Sequence, residues 1–228
     1  MPDSATTAVP ATVDQNPADQ AATGQDPADQ EPADQEPADQ EPAEARHRTL
    51  AELEAGLDEV RRSPRATGLL ELIVSRPALD EREVLDVGVL DPAFGLLGDT
   101  WNQRSSRRTP DGSPHPEMQL NVINARFAQL IAGSRERWPL AGDQLYVDLD
   151  LSEEALPAGT RLAIGPAVIE VTEQPHTGCV KFAGRFGKDA LKIVSLPPGK
   201  ALRLRGLNAK VVTAGTIRPG DAIRTLPA

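Results

Sequence analysis

The chain has 228 residues, 34 acidic and 24 basic side chains, and a formal net charge of −10, but residues 1–45 hold 11 carboxylates and no Lys or Arg, so the rest is close to neutral. A near-neutral domain without a basic stripe argues against nucleic-acid binding, and a single cysteine excludes a disulfide framework or a multi-cysteine metal site. Without a long apolar run or a secretion signal, the sequence predicts a cytoplasmic protein with no membrane span and one domain of about 180 residues.

The acidic N-terminal segment is built on a five-residue repeat. From Asp26 the units read DPADQ, EPADQ, EPADQ and then EPAEA. This period matches neither a helix nor a strand, each unit carries a proline, and little apolar surface is available for burial. We predict a disordered acidic tail over residues 1–45, either inert or partner-docking, and a folded domain over 46–228.

The domain begins with a predicted helix. Thr49 and Glu52 have capping-box spacing, apolar residues recur at helical intervals, and Pro64 ends the segment. The apolar run Leu69–Val74 predicts a strand. The polar, proline-bearing stretch Asn102–Pro116 is long enough to predict a functional or mobile loop.

The middle of the chain predicts a strand over Met118–Ile123 and a short helix over Asn124–Ile131, with Asn124 as its cap and Gly133 as its stop. Asp143–Leu149 alternates apolar and polar residues, as a half-buried strand does. Arg161–Val171 is rich in β-formers and has a turn signal at Gly165 and Pro166.

The C-terminal part predicts a short helix over Lys181–Leu191, interrupted by glycines, and strands over Arg203–Leu226 that break at Gly206, Gly215 and Gly220. Many short strands with Gly/Pro turns and few helices favour a mainly β (α+β) fold, namely a closed or nearly closed β-barrel with a few peripheral helices.

One segment stands out chemically, the stretch from Glu173 to Phe182. The only cysteine, Cys179, lies three residues after His176, and four basic side chains follow within the next thirteen residues. A thiol beside cations ionises more easily, and the thiolate is both a nucleophile and a soft metal ligand. From the residues alone, a buried apolar cysteine remains the alternative, whereas a thiol protease lacks an orienting partner and zinc lacks ligand spacing.

The run HTGCVKFAGRFGKDALKIV, followed by RLRGLNAKVVTAGTIRPGD, resembles the MOSC domain, which is found at the C-terminus of molybdenum cofactor sulfurases and in stand-alone bacterial relatives. Upstream, Gly95–Asp99 resembles the glycine-aspartate loop of that family, so the resemblance covers about residues 94–224. The residues that carry its C-terminal part are Cys179, Lys181, Arg185, Phe186, Gly187, Arg205, Gly206, Ala209, Gly215, Ile217, Arg218, Pro219, Gly220 and Asp221.

The resemblance implies a mixed β-barrel of the MOSC type and a molybdenum cofactor (molybdopterin), whose metal Cys179 would bind. His176 would act beside it as a proton shuttle or hydrogen-bond donor. The remaining candidates for holding the cofactor are Thr177, Gly178, Lys181, Arg185, Lys188, Arg205, Asn121 and Asp99.

The chain departs from the family pattern in two ways. Thr100 and Trp101 stand where the family often has Arg and His, so a basic residue would have to come from Arg104, Arg107 or Arg108. There is also no sign of a pyridoxal-phosphate site, so the chain should not mobilise sulfur from free cysteine itself.

Three functions follow as hypotheses. The first is a molybdenum-dependent oxidoreductase that acts on N-hydroxylated or related N–O substrates with a separate electron-donor protein. The second is a sulfur carrier or transferase that uses a Cys179 persulfide supplied by a sulfur-donor protein. The third is a non-catalytic cofactor-binding module. A lone domain without a desulfurase favours the first.

Overall fold

The computed structural model describes residues 46–227, and the predicted acidic tail lies outside the described residues. Strands β1 to β11 of this part of the chain are, in order, Thr67–Ser75, Glu83–Leu85, Gly88–Asp91, Gly95–Leu96, Leu120–Asn124, Leu145–Asp148, Arg161–Ile164, Ala167–Val171, Leu207–Thr213, Gly215–Ile217 and Ala222–Thr225. Seven of them close into a barrel in the order β1, β6, β5, β9, β8, β7 and β11, which pairs back to β1. The neighbours run antiparallel except β5 and β6, which are parallel.

The barrel encloses one apolar core, to which alternate residues of each strand contribute. Along β9, Leu207, Ala209 and Val211 belong to it, as do Leu145 and Val147 on β6. The two-residue period of a strand places these side chains on one face, and closure of the sheet turns that face inward. This confirms the predicted mixed β-barrel.

Among the described residues, five helices lie outside the barrel, and four of them pack with outward-facing strand residues in a second core, so the peripheral helices are confirmed as well. Tyr146 on β6 points into this second core and is fully buried, so β6 is buried on both faces and the predicted half-buried strand is wrong in that respect. Helices α1 to α5 are Leu50–Arg61, Ala125–Ala132, Val180–Phe186, Lys188–Ser195 and Pro197–Ala201, and three short 3-10 helices span Trp101–Gln103, Pro116–Met118 and Arg135–Ala141.

Local sequence signals set several boundaries correctly. Thr49 and Glu52 form the predicted capping box at the start of α1. The Asn124 side chain accepts the Phe127 amide and caps α2, which ends at Gly133. Gly187 has a φ of 93° and separates α3 from α4. Such a conformation suits glycine, because a side chain would clash with the backbone there.

The sequence prediction missed β2, β3 and β4 and the helix α5. Strands β3 and β4 are short and belong to a second, three-stranded sheet, in which β3 lies between β10 and β4. A two-residue strand has no readable period, and α5 begins with two prolines, which are tolerated only in a first helical turn. No helix in residues 46–227 is long and apolar enough to cross a membrane.

Candidate functional site

The candidate site lies in the segment between β8 and α3, the first part of which is hydrogen-bonded to β9. The Thr172 hydroxyl lies 2.7 Å from the Glu117 carbonyl and 3.2 Å from the Asn208 carbonyl. Farther along, the Asn208 side-chain amide donates to the Gln174 carbonyl at 3.1 Å. These bonds hold the segment that carries His176 against β9.

His176 lies at the inner end of this segment with a nearly buried ring. Its Nδ1 is 3.4 Å from Asp143 Oδ1, and this nitrogen has no hydrogen-bond partner among the described residues. Burial, reinforced by the charges of Arg205 and Arg76, lowers the pKa of His176 well below its usual value. The imidazole is therefore neutral at physiological pH and can either accept or donate a proton.

A buried ion pair between Arg205 and Asp143 adjoins this histidine. Arg205 Nη1 lies 2.7 Å and 2.9 Å from the two Asp143 oxygens, and Nη2 donates to the Ala141 carbonyl. The Arg205 guanidinium also sits 5.0 Å from the centre of the Phe182 ring. Burial raises the pKa of Asp143, and Arg205 opposes that shift. The pair orients one wall of the site.

A second buried pair continues the polar network. Arg76 binds Asp99 through two nitrogens, at 2.7 Å and 2.9 Å, and its Nη1 donates to Asn121 Oδ1 at 2.9 Å. The Asn121 amide donates to Asn208 Oδ1 at 2.7 Å. The structure thus joins Asp99 and Asn121, two of the candidate residues, through an arginine that the sequence analysis had not named.

Cys179 is exposed and immediately precedes α3. The exposed side chain of Val180 follows it, and both Lys181 and Arg185 on α3 bind the Asp80 carboxylate, at 2.8 Å and 3.1 Å. The sulfur is accessible, as metal binding or sulfur transfer requires. Lys181 and Arg185, which were predicted to hold the cofactor, therefore already share the Asp80 carboxylate.

Thr177 and Gly178 line a cavity of about 430 Å³ together with His176 and Arg205. A side chain at Gly178 would place its Cβ 2.5 Å from Leu191 Cδ1, so the absence of a side chain here lets the segment pack on α4. Lys188, at the start of α4, is exposed and does not line this cavity.

The sequence analysis missed Arg76, Arg82, Asp143 and Asn208. Arg82 lies in a polar stretch between β1 and β2, yet its Nε is buried and without a partner among the described residues. Burial, then the charges of nearby arginines, lowers the pKa of Arg82. Arg76, Arg82 and Asp143 stand in no local motif, whereas Asn208 lies inside the run that resembles the MOSC domain, between Gly206 and Ala209. The signal available for Asp143 was its position, with Gln144, directly before an apolar strand.

These features define a class of protein: a mixed β-barrel that carries a basic, largely buried polar network beside an exposed cysteine. The family model of the MOSC domain matches residues 116–224. Residues 116–224 therefore form a MOSC domain, and the resemblance seen in the sequence is confirmed.

Two solved structures are similar to the chain. YuaD from Bacillus subtilis is 19% identical, covers 70% of this chain and 95% of its own, and superposes with a TM-score of 0.50. YiiM from Escherichia coli is 19% identical, covers 70% of each chain, and has a TM-score of 0.46. No curated protein matches the chain significantly.

Proposed function

We propose that this chain binds the molybdenum cofactor through the Cys179 thiolate and reduces N-hydroxylated or related N–O substrates with electrons from a separate protein. The observation that carries this proposal is the exposed lone cysteine placed three residues from a buried, neutral histidine. An accessible thiolate suits a thiophilic metal, and a neutral imidazole suits proton transfer beside it.

The charges of the site fit an anionic cofactor. Basic side chains outnumber carboxylates in and around the site. The basic residues are Arg76, Arg82, Arg104, Lys181, Arg185 and Arg205, and the carboxylates are Asp80, Asp99 and Asp143. Three buried nitrogens, His176 Nδ1, Arg82 Nε and Arg205 Nε, also lack partners among the described residues. Excess positive charge and unsatisfied donors both favour a ligand that carries a phosphate.

When bound, the cofactor supplies the two-electron redox chemistry. In this proposal Cys179 holds the metal, and Lys181 and Arg185 lie on α3, the helix that begins directly after it. Reduction of an N–hydroxyl group to the amine and water consumes two protons, and the neutral His176 ring would relay one of them, accepting at one nitrogen as it donates from the other. The Arg205–Asp143 pair keeps the imidazole in place, and Asn121 contacts the pterin.

The test is elemental analysis of protein purified from a molybdenum-replete host, for the wild type and Cys179→Ser. We expect stoichiometric molybdenum in the wild type and its loss in the variant. Since the sulfur is exposed, the melting temperature should stay unchanged. Val180→Ser, which alters the next exposed residue, is the matched control and should retain the metal.

Activity is then measured as turnover of an aromatic N-hydroxylated compound with a chemical reductant. Wild type and Val180→Ser should turn it over, and Cys179→Ser should not. Bound cofactor without turnover would leave a non-catalytic binding module. Metal retained in Cys179→Ser would contradict the proposed ligand.

The exposure of Cys179 also favours a second candidate, sulfur transfer. A persulfide carrier needs a thiol that both a donor and an acceptor protein can reach. Intact mass spectrometry separates the two functions, because a persulfide adds the mass of one sulfur atom to wild type and none to Cys179→Ser. Persulfide without molybdenum would support the carrier.

A further inference from the structure

The cavity beside His176 is lined by only some of the residues that were predicted to hold the cofactor. Cys179, Asn121 and Asp99 do not line it, although its volume of about 430 Å³ lies within the usual range of small-molecule sites, about 300–1,000 Å³. Most of its wall comes from the segment between β8 and α3, from the end of α4, from α5 and from the start of β9. The ligand of this cavity therefore has to be inferred from the residues of its own wall.

One ring nitrogen of His176 supplies a hydrogen-bond acceptor to this cavity. The other nitrogen, Nδ1, is buried and lies 3.4 Å from Asp143 Oδ1, an oxygen that accepts a hydrogen bond from Arg205. Because a carboxylate oxygen accepts and does not donate, Nδ1 carries the proton of the neutral ring. The His176 side chain is 12% exposed and lines the cavity, so Nε2 is the nitrogen that faces it, with a free lone pair. A ligand is therefore required to place an N–H or O–H donor at this position.

Charged side chains of both signs line the cavity. Apart from Arg205, which binds Asp143, the basic side chains are Lys200 and Arg203, and the acidic ones are Glu153 and Glu173. None of these four forms an ion pair within residues 46–227, and Arg203 donates only to a backbone carbonyl, at 2.6 Å. Four charges are thus free to act on a ligand.

The signs of these charges select the class of ligand. A simple anion would face the carboxylates of Glu153 and Glu173, and a simple cation would face Lys200 and Arg203. Like charges at close range repel, whereas a hydrogen bond between opposite charges is about twice as strong as a neutral one. A zwitterion, which carries one charge of each sign, can use all four side chains.

The backbone at Arg203 provides a second, independent indication of a ligand site. Its φ is 45°, a left-handed conformation that is uncommon for a residue other than glycine. Two hydrogen bonds fix it, because the Arg203 amide donates to the Lys200 carbonyl at 2.9 Å and the Gly206 amide donates to the Arg203 carbonyl at 2.7 Å. Residues in such conformations cluster at functional sites, where the surrounding structure holds them in place.

Apolar side chains and bare backbone complete the wall. Val194 and Leu207 line the cavity and are 6% and 3% exposed. Gly199 lines it as well, and a Cβ there would lie 1.9 Å from the Ile193 carbonyl oxygen, so this position is closed to any side chain. The cavity thus pairs its polar groups with a buried surface that suits a small aliphatic group.

We propose that the cavity beside His176 binds a small α-amino carboxylate as its zwitterion, with an aliphatic side chain. The ammonium group donates to His176 Nε2 and faces Glu173. The carboxylate accepts hydrogen bonds from Arg203 and Lys200, and the aliphatic group packs on Val194. This binding goes beyond the proposed reduction, because it requires neither molybdenum nor Cys179.

The first measurement is the tautomer of His176 in the full-length protein labelled with ¹⁵N-histidine. At pH 7, long-range ¹H–¹⁵N correlation distinguishes a ring nitrogen that carries a proton from one that does not. We expect the proton on Nδ1 of His176, whose signals are assigned with His176→Gln. His115 is the internal reference with the opposite tautomer, because its Nδ1 accepts the Glu117 amide at 3.2 Å. A proton on Nε2 of His176 would overturn the proposal.

The same protein is then titrated with L-valine, in a form that lacks the molybdenum cofactor. We expect the His176 ring signals to shift and saturate, while those of His115, which does not line the cavity, stay in place. N-acetyl-L-valine lacks the positive charge and L-valinamide lacks the carboxylate, so neither should move the His176 signals. Absence of a shift with L-valine, or equal binding of either analogue, would contradict a zwitterion site.

Lys200→Gln is the critical variant, because its exposed ammonium group makes no hydrogen bond among the described residues and its loss should not disturb the fold. We expect it to weaken L-valine binding by about tenfold, the effect of one charge-assisted contact. Lys192→Gln removes the same charge from an exposed position on α4 outside the cavity and should leave the affinity unchanged. Equal affinities of the two variants would refute the assignment. Since no metal takes part, these results are independent of the Cys179→Ser metal analysis.

Discussion

Replacement of Asp143 by Asn tests how much the buried Asp143–Arg205 ion pair contributes to the free energy of unfolding. The Asp143 side chain is fully buried and that of Arg205 is 9% exposed, so the partner charge would remain in the protein interior without compensation. Arg205 cannot swing out to water easily, because its Nη2 is bound by the Ala141 carbonyl and its guanidinium lies over Phe182.

The expected loss follows from burial. Removing one partner of a buried ion pair costs about 3–5 kcal/mol, because the remaining charge keeps its desolvation penalty. With a urea dependence of about 2 kcal/mol per molar, this moves the unfolding midpoint down by about 1.5–2.5 M. Burial raises the pKa of Asp143, and the charge and hydrogen bonds of Arg205 oppose that shift.

The assay is urea unfolding at pH 7, followed by tryptophan fluorescence. Asp80→Asn is the control, since its carboxylate binds Lys181 and Arg185 at an exposed position and should change the midpoint little. The double variant Asp143→Asn/Arg205→Gln removes both buried charges and should recover part of the loss, which keeps the test usable if the single variant does not fold. Equal midpoints for the Asp143→Asn and Asp80→Asn variants would refute the reasoning.

Two further predictions concern His176 and the glycine before β9. Burial, with nearby arginines, lowers the pKa of His176. The unfolded chain therefore binds a proton near pH 6.5 that the folded chain does not bind. As the pH drops below about 6.5, the free energy of unfolding falls by at most about 1.4 kcal/mol per pH unit. His176→Gln should remove this part of the slope in urea unfolding between about pH 7.5 and 5.5, and an unchanged slope would mean that the imidazole is not buried. Gly206→Ala should lower the melting temperature far more than Gly98→Ala, because both have positive φ (97° and 87°), but only at Gly206 would the new Cβ collide with the Val122 carbonyl. Similar melting temperatures would contradict that close approach.

Much of the fold could be read from the sequence because its signals are local. The capping box at Thr49 and the Asn124 cap act over three residues, and the turn at Gly165 over four. The alternation of apolar and polar residues along β6 identified the strand, but it did not show that helices cover the outer face of that strand. Only packing of helices on the barrel decided that Tyr146 is buried.

The chemical segment was also visible, since a lone cysteine, a nearby histidine and a cluster of cations stand within one stretch. The sequence analysis grouped the cations by their proximity to Cys179. The structure instead pairs Lys181 and Arg185 with Asp80, and Arg205 with Asp143.

The amino-acid sequence alone therefore determined the positions of most barrel strands and of the helix caps, the MOSC resemblance, and the residues that neighbour Cys179 along the chain. Tertiary structure decided which charges meet, as Arg76 does with Asp99 and Arg205 with Asp143. The physical reason is that strand pairing brings together residues that are distant in sequence. These are Asp143 just before β6, Arg76 directly after β1, and His176 in the segment after β8. Coulombic energy depends on distance in space and on burial, and barrel closure sets both.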